Sequence, residues 1–318
     1  MKVINLREIL NQEPAINLFH LALKKERLSQ AYLLTGPEGV GKETTAWALL
    51  FHLFCEKNFE NPCGNCKACK KLLKDSHPDL LKVYPEKKEI TIEQIRNIQN
   101  FLKYRPLEGK YRIVLIKPAE KMNLQAANAL LKSLEEPPSY IIFLLITENF
   151  TQLLPTIISR SQIVRFRTLP SEVIKNFLIK KFSYEEVIAE TLAKISQGSL
   201  GRAIEIMEKG LIEELHTFVK AGFSSSYILK FKVAERFSNL EPRSWDLFFY
   251  LLSLWIWKSY LKKRYGLSYP SAFPQENFQK DPFLALKIIF EAKSALEHYA
   301  NPEIVFYWLL TKIFNLEA

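Results

Sequence analysis

Short apolar runs alternate with amphipathic stretches through the first half of the chain. Ala31–Thr35 (AYLLT), Leu80–Val83, Ile113–Ile116, Ile141–Ile146 and Ile163–Phe166 have the length and composition of buried strands. Helical spacing fills intervals between them, as over Ile92–Leu102 and Leu124–Leu134. Strand and helix alternating in this way predict a parallel sheet covered by helices. From Pro170 the strand signals stop. Ser171–Phe182, Tyr184–Ser196 and Leu200–Glu208 predict three short helices, punctuated by Gly198 and Gly201. After Gly210 the chain is helical again, with long aromatic-rich stretches at Trp245–Tyr265 and Pro282–Tyr299. An irregular connection, Gly266–Pro274, joins them. Boundaries fall near 167 and 210, predicting an α/β domain over 1–167, a three-helix domain over 168–210 and an all-α domain over 211–318.

Composition narrows the class. A chain of 318 residues suits two or three domains, and 48% apolar with 25% charged residues is the balance of a globular protein. The most apolar stretch, Leu247–Trp257, falls short of the roughly 20 residues a bilayer span needs. Lys2, Arg7 and Glu8 interrupt any apolar leader, so the expected location is the cytoplasm. The net charge of +10 fits either a polyanion partner such as nucleic acid or a solvated lysine-rich surface. No long basic tract exists, so a DNA contact would have to be assembled by the fold.

All four cysteines fall between positions 55 and 69: Cys55, then Cys63-x₂-Cys66-x₂-Cys69. In a cytosolic chain this spacing favours a metal over disulfides, and four thiolates complete a tetrahedral structural Zn²⁺ site. Pro62 and Gly64 suit the turn, and Lys67, Lys70 and Lys71 would offset the thiolate charge. Four reduced, metal-free cysteines are the plainer reading. A redox role is disfavoured, because four closed ligands leave no reactive thiol.

A glycine-rich loop, Gly36-Pro-Glu-Gly39-Val-Gly41-Lys42-Glu43, follows the first predicted strand and opens a helix. Glycines at 36, 39 and 41 let backbone amides curl around phosphate oxygens, and Lys42 would reach the outer phosphates. The residue after that lysine should be Ser or Thr, whose hydroxyl binds Mg²⁺; here it is Glu43. Thr44 comes one position late, rotated by about 100° around the helix. The strand Arg112–Ile116 should lead into an Asp and a Glu, one for the metal and one for the attacking water, but Lys117 and Pro118 stand there. Glu120 lies beyond the strand end. These read as two independent losses: the phosphate cradle survives, efficient hydrolysis does not, ATP or ADP binding is doubtful and Mg²⁺ is not expected.

Four segments now carry a resemblance. Ala31–Lys42 (AYLLTGPEGVGK), Pro106–Tyr111 (PLEGKY), Asn128–Pro138 (NALLKSLEEPP) and Ile158–Ser161 (ISRS) resemble the clamp-loader subunits of bacterial DNA polymerase III, and among them the delta-prime type, from Leu6 to about Glu208. The resemblance implies an AAA+ P-loop core with a five-stranded parallel sheet and zinc module, then a small helical lid and an all-α collar that assembles five related subunits into an open ring. It implies motor (gamma/tau) and delta subunits, the sliding clamp and primed DNA as partners. It also implies that Arg160, in Ser159-Arg160-Ser161 where the family has Ser-Arg-Cys, projects as an arginine finger into a neighbour's ATP site; a surface arginine is the plainer reading. Gly201-Arg202 matches the lid arginine that senses nucleotide, or else starts a helix. Thr147 and Asn149 match polar sensor positions, or else end a strand. Two other functions stay open here: an active motor ATPase of the same loader, and a stand-alone zinc-containing DNA-binding protein.

Overall fold

Five parallel strands build the sheet that the alternating pattern predicts. A computed structural model of the protein describes residues 3–57, 61–267 and 271–315. Residues 58–60 of the cysteine insertion, 268–270 of the Gly266–Pro274 connection and 316–318 of the last predicted domain lie outside the described residues. The chain divides into two compact units, Met1–Leu169 and Pro170–Ala318.

The first unit runs α1 (Glu13–Lys24), β1 (Ala31–Thr35), α2 (Lys42–Phe54), α3 (Lys67–Leu73), β2 (Leu80–Val83), α4 (Ile92–Leu102), β3 (Arg112–Ile116), α5 (Leu124–Glu135), β4 (Ile141–Thr147), α6 (Pro155–Ser159) and β5 (Gln162–Arg165). The strand order is β2-β3-β4-β1-β5, every pair parallel. The three central strands are buried along their whole length. That is why they are near-continuous apolar runs rather than alternating ones. Alternate residues still serve opposite layers. Tyr32, Leu34, Ile113, Leu115, Ile142 and Leu144 pack with α1, α2 and α3. Leu33, Val114, Ile116, Phe143 and Leu145 pack with α4, α5 and α6. The P-loop leaves β1 between β4 and β5, so a ligand there would lie beyond the carboxyl ends of the strands.

The second unit is helical: α7 (Ser171–Phe182), α8 (Glu186–Ile195), α9 (Leu200–Glu208), α10 (Leu211–Phe223), α11 (Tyr227–Ser238), α12 (Pro242–Tyr265), α13 (Pro282–Glu297) and α14 (Pro302–Phe314). Asn301 and Asp281 cap α14 and α13 through side-chain oxygens, each followed by a proline at the first helical position. Aromatic rings dominate this core: Phe237 meets Phe248 at 4.5 Å, Phe218 meets Phe248 at 4.9 Å, and Phe249 stacks on Phe306 at 5.7 Å. The 24-residue α12 is not apolar enough to cross a membrane, and neither is any other described helix.

Candidate functional site

The P-loop has the backbone its glycines predict. Gly36, Gly39 and Gly41 all take positive φ, and a Cβ on Gly36 would meet the Phe166 carbonyl oxygen at 2.4 Å. Gly41 caps α2, so Lys42 opens the helix. Lys42 does not reach outward. Its Nζ donates to the carbonyl oxygens of Gly36 and Pro37, the latter at 2.6 Å, and the residue is only 6% exposed. Burial pulls its pKa below the ordinary lysine value, while Glu148, Glu120 and Glu38 act the other way.

The two losses read as independent from the sequence are in contact. Glu43 Oε2 and Lys117 Nζ form an ion pair. The parallel sheet causes this: β3 ends beside the first turn of α2, which brings positions 74 apart in the chain together. Thr44, the late hydroxyl, faces solvent, and Thr45 Oγ1 bonds back to the Gly41 carbonyl oxygen at 2.8 Å. Glu120 sits in a 3₁₀ turn beyond β3 and accepts the Glu148 N–H at 3.0 Å. Glu148 in turn has a raised pKa, first through partial desolvation and then through Glu38 and Glu120, opposed by Lys42 and Lys117. The loop, the start of α2 and the segments after β3 and β4 therefore bring together four carboxylates, Glu38, Glu43, Glu120 and Glu148, and two ammonium groups, Lys42 and Lys117. The sequence patterns drew attention to the two lysines and to Glu43 and Glu120. Glu38, inside the glycine-rich loop, and Glu148 escaped notice; only Glu148, after β4, needs the sheet topology to bring it there.

Thr147 ends β4 in register with Thr35 of β1; it is fully buried, and its Oγ1 has no hydrogen-bond partner. Asn149 caps the following 3₁₀ turn, accepting the Thr151 N–H at 3.0 Å. Arg160 closes α6. Its guanidinium donates to Glu135 at 2.9 Å and to the Thr156 carbonyl oxygen at 3.1 Å, with the side chain 35% exposed. Two motifs far apart in sequence, NALLKSLEEPP and ISRS, thus meet. In the second unit, Arg202 lies over the Tyr250 ring at 4.8 Å, and its backbone N–H is held by the Ser199 cap.

The four cysteines converge. All four sulfurs lie within 4.8 Å of one another, and among the described residues no other His, Cys, Asp and Glu group forms such a cluster. A tetrahedron with Zn–S bonds of about 2.3 Å has edges of about 3.8 Å, so the cluster can hold a metal ion with little movement. Cys55 caps the end of α2 and Cys66 the start of α3. Backbone amides already point at the sulfurs: Cys63 N–H to Cys55 and Asn65 N–H to Cys63, both at 3.4 Å, and Cys66 N–H to Cys63 at 3.3 Å. The amides of Asn65 and Cys66 bring the Cys63 thiol down to about 6, while burial raises Cys69. Lys71, expected to balance thiolate charge, is instead paired with Glu108.

That pair leads to a feature the sequence reading missed. Asp79, fully buried, accepts the backbone N–H groups of Leu107 and Glu108 at 2.8 Å and of Gly109 at 3.1 Å. Arg112 stands 3.5 Å from it, donates to the carbonyl oxygens of Phe101 and Tyr104, and lies over the Phe101 ring at 3.7 Å. The PLEGKY loop is pinned by one carboxylate. Only a charged residue beside a strand start, in His77-Pro78-Asp79, hinted at it.

A family model described as DNA polymerase III, delta subunit, matches residues 11–170. The chain is 32% identical to DNA polymerase III subunit delta' of Bacillus subtilis over 254 residues, 80% of this chain and 72% of that protein. It is 44% identical to the delta' subunit of Pseudomonas aeruginosa over 135 residues, 42% of this chain and 41% of that protein. Similarity to the tau subunit of Bacillus subtilis is 30% over 210 residues, 64% of this chain and 37% of that one. The fold is similar to that of a DNA polymerase III gamma subunit-related protein from Thermotoga maritima, with a TM-score of 0.50 and 20% identity, covering 93% of this chain and 97% of that one. With its P-loop AAA+ core, its four-cysteine cluster and its helical second unit, the chain belongs to the delta-prime family of DNA polymerase III clamp-loader subunits.

Proposed function

We propose that this chain is a non-catalytic member of a clamp loader, which helps place the sliding clamp on primed DNA beside motor (gamma/tau) and delta subunits. The observation that carries this reading is the pairing of Glu43 with Lys117. The metal-binding hydroxyl and the metal-binding carboxylate of a working P-loop are both replaced, and the replacements satisfy each other. The cysteine cluster holds a structural Zn²⁺, since four closed thiolates suit no catalytic role. The helices from Pro170 serve as a lid over 168–210 and a ring-forming collar over 211–318.

The chain's chemical contribution is then made in a neighbour's site, by Arg160. A planar guanidinium grips a γ-phosphate through two parallel hydrogen bonds and favours the charge that develops on phosphoryl transfer. Support comes from its setting: Glu135 and the Thr156 carbonyl oxygen hold the guanidinium half in solvent, and a phosphate approaching from outside would compete with a single exposed carboxylate. The test is a loader reconstituted from this chain and its motor and delta partners. Arg160→Ala should assemble normally and slow single-turnover hydrolysis at one site by about 10³-fold or more, within the range known for arginine fingers. Arg160→Lys should rescue poorly, because a point charge lacks the planar fork. Full clamp loading and full ATPase in the alanine variant would remove Arg160 from the mechanism.

A further inference from the structure

The two residues that break the phosphate-loop pattern occupy the two protein positions that hold Mg²⁺ in a working site. Glu43 replaces the hydroxyl on the first turn of α2, and Lys117 replaces the carboxylate after β3. Their side chains are 36% and 37% exposed, so the pair stands at the mouth of the loop and not in the core. An ammonium group there supplies positive charge near the metal's place, with Glu43 as its partner. It cannot do what the metal does, because it accepts no lone pair from a phosphate oxygen or a water.

The surroundings act in the same direction. Lys42, the group that would grip the outer phosphates, is buried and spends its protons on the Gly36 and Pro37 carbonyl oxygens of its own loop. Glu38, Glu120 and Glu148 all bear on Lys42. A di- or triphosphate entering without a metal would add negative charge to four carboxylates balanced by only two ammonium groups. A Mg²⁺-nucleotide would meet Lys117 where its metal belongs. The residues present therefore do not fit the Mg²⁺-nucleotide that the fold implies.

We infer that the Glu43–Lys117 ion pair takes the place of Mg²⁺ in this loop and keeps it free of nucleotide, and that replacing both residues together converts the loop into a Mg²⁺-dependent nucleotide site. This rests on the reading above that the chain does not hydrolyse ATP, and extends it from turnover to binding. The coupling is specific. Glu43→Thr alone restores the hydroxyl but leaves the Lys117 ammonium, now unpaired, against the metal. Lys117→Asp alone leaves the Glu43 carboxylate in the hydroxyl's place, stripped of its ammonium partner and repelling the nucleotide's phosphates. Only the double replacement supplies hydroxyl and carboxylate without an opposing charge.

Equilibrium dialysis with radiolabelled ADP, in Mg²⁺ and in EDTA, tests this on the full-length wild type, both single variants and the double variant. Wild type and single variants should bind no ADP at about 1 mM, whereas the double variant should bind it at least about tenfold more tightly with Mg²⁺ than with EDTA. Saturable binding by the wild type overturns the inference, with or without the metal. So does a double variant with wild-type circular dichroism that binds nothing. If the double variant does not fold, the wild-type titration decides alone: binding refutes the inference and its absence upholds it. Wild-type binding without turnover would sink this inference while leaving the proposed non-catalytic role standing; wild-type turnover would sink both.

Discussion

The cysteine cluster and the phosphate loop lie in the same unit, at the two ends of α2, and have kept different things. At the C-terminal end of α2 all four donor sulfurs remain, with amides aimed at them, within 4.8 Å of one another. At the N-terminal end the backbone cradle remains, with Gly36, Gly39 and Gly41 at positive φ, but the side-chain donors are gone. Their places are filled by an ion pair, and the phosphate-gripping lysine is turned onto its own loop. Backbone shape survives where it is needed for packing, since Gly36 and Phe166 fix the join between β1 and β5 whatever the loop binds. On the function proposed above, donor chemistry survives where a ligand still uses it, as Zn²⁺ would at the sulfurs. On this account the zinc end of α2 is sensitive to loss of its ligand, and the phosphate end is not.

The largest effect should therefore come from the cysteines. Purified, reduced protein should carry about one zinc per chain, and Cys66→Ser should lose it, with a local destabilisation on the order of 5 kcal/mol or more. Metal analysis and hydrogen exchange over Lys67–Leu73 read this out. Absence of zinc from fresh protein would collapse the contrast. Next comes Asp79, which anchors the PLEGKY loop beside the cysteine end of α2, where Glu108 pairs with Lys71. Asp79→Ala leaves Arg112 buried and unpaired and should cost about 3–5 kcal/mol in urea unfolding. A loss under about 1 kcal/mol would mean that the loop is held by other contacts. The smallest effect belongs to the phosphate end. The Glu148 pKa is raised in the folded chain, so the fold disfavours its ionised form. Folding is then penalised as pH rises above the ordinary glutamate value of about 4.3, and the penalty is complete once the folded group has ionised. Glu148→Gln removes it. The stability of the variant relative to wild type should grow as pH rises through that window, by less than about 1 kcal/mol, given the exposure of the site. An unchanged difference across the window would mean that the surrounding carboxylates do not act on Glu148.

Much of this was legible in the sequence. The five strands, the α4 and α7 helices and the convergence of the four cysteines follow from runs, periods and spacings that are local in the chain. Tyr184–Ser196, predicted as one helix, begins two residues later and ends one earlier: Ser183 takes a left-handed conformation, Tyr184 lies in the irregular segment before α8, and Ser196 is its C-cap. What escaped was every pairing across the sheet. Glu43 with Lys117, Asp79 with Arg112 and with the amides at 107–109, and Arg160 with Glu135 join residues 25 to 74 positions apart. No period encodes such pairs; strand order does. Motif comparison registered Glu43 and Lys117 as two separate defects because it scores positions one at a time.

ATP turnover by the purified chain alone tests the central claim most directly, with Lys42→Ala measured beside it. The account predicts no hydrolysis above buffer for either protein, with Mg²⁺ present, because neither the metal nor the attacking water has a ligand. Turnover by the wild type that disappears in Lys42→Ala would contradict it, and would make the Glu43–Lys117 pair an incidental neighbour of a working site.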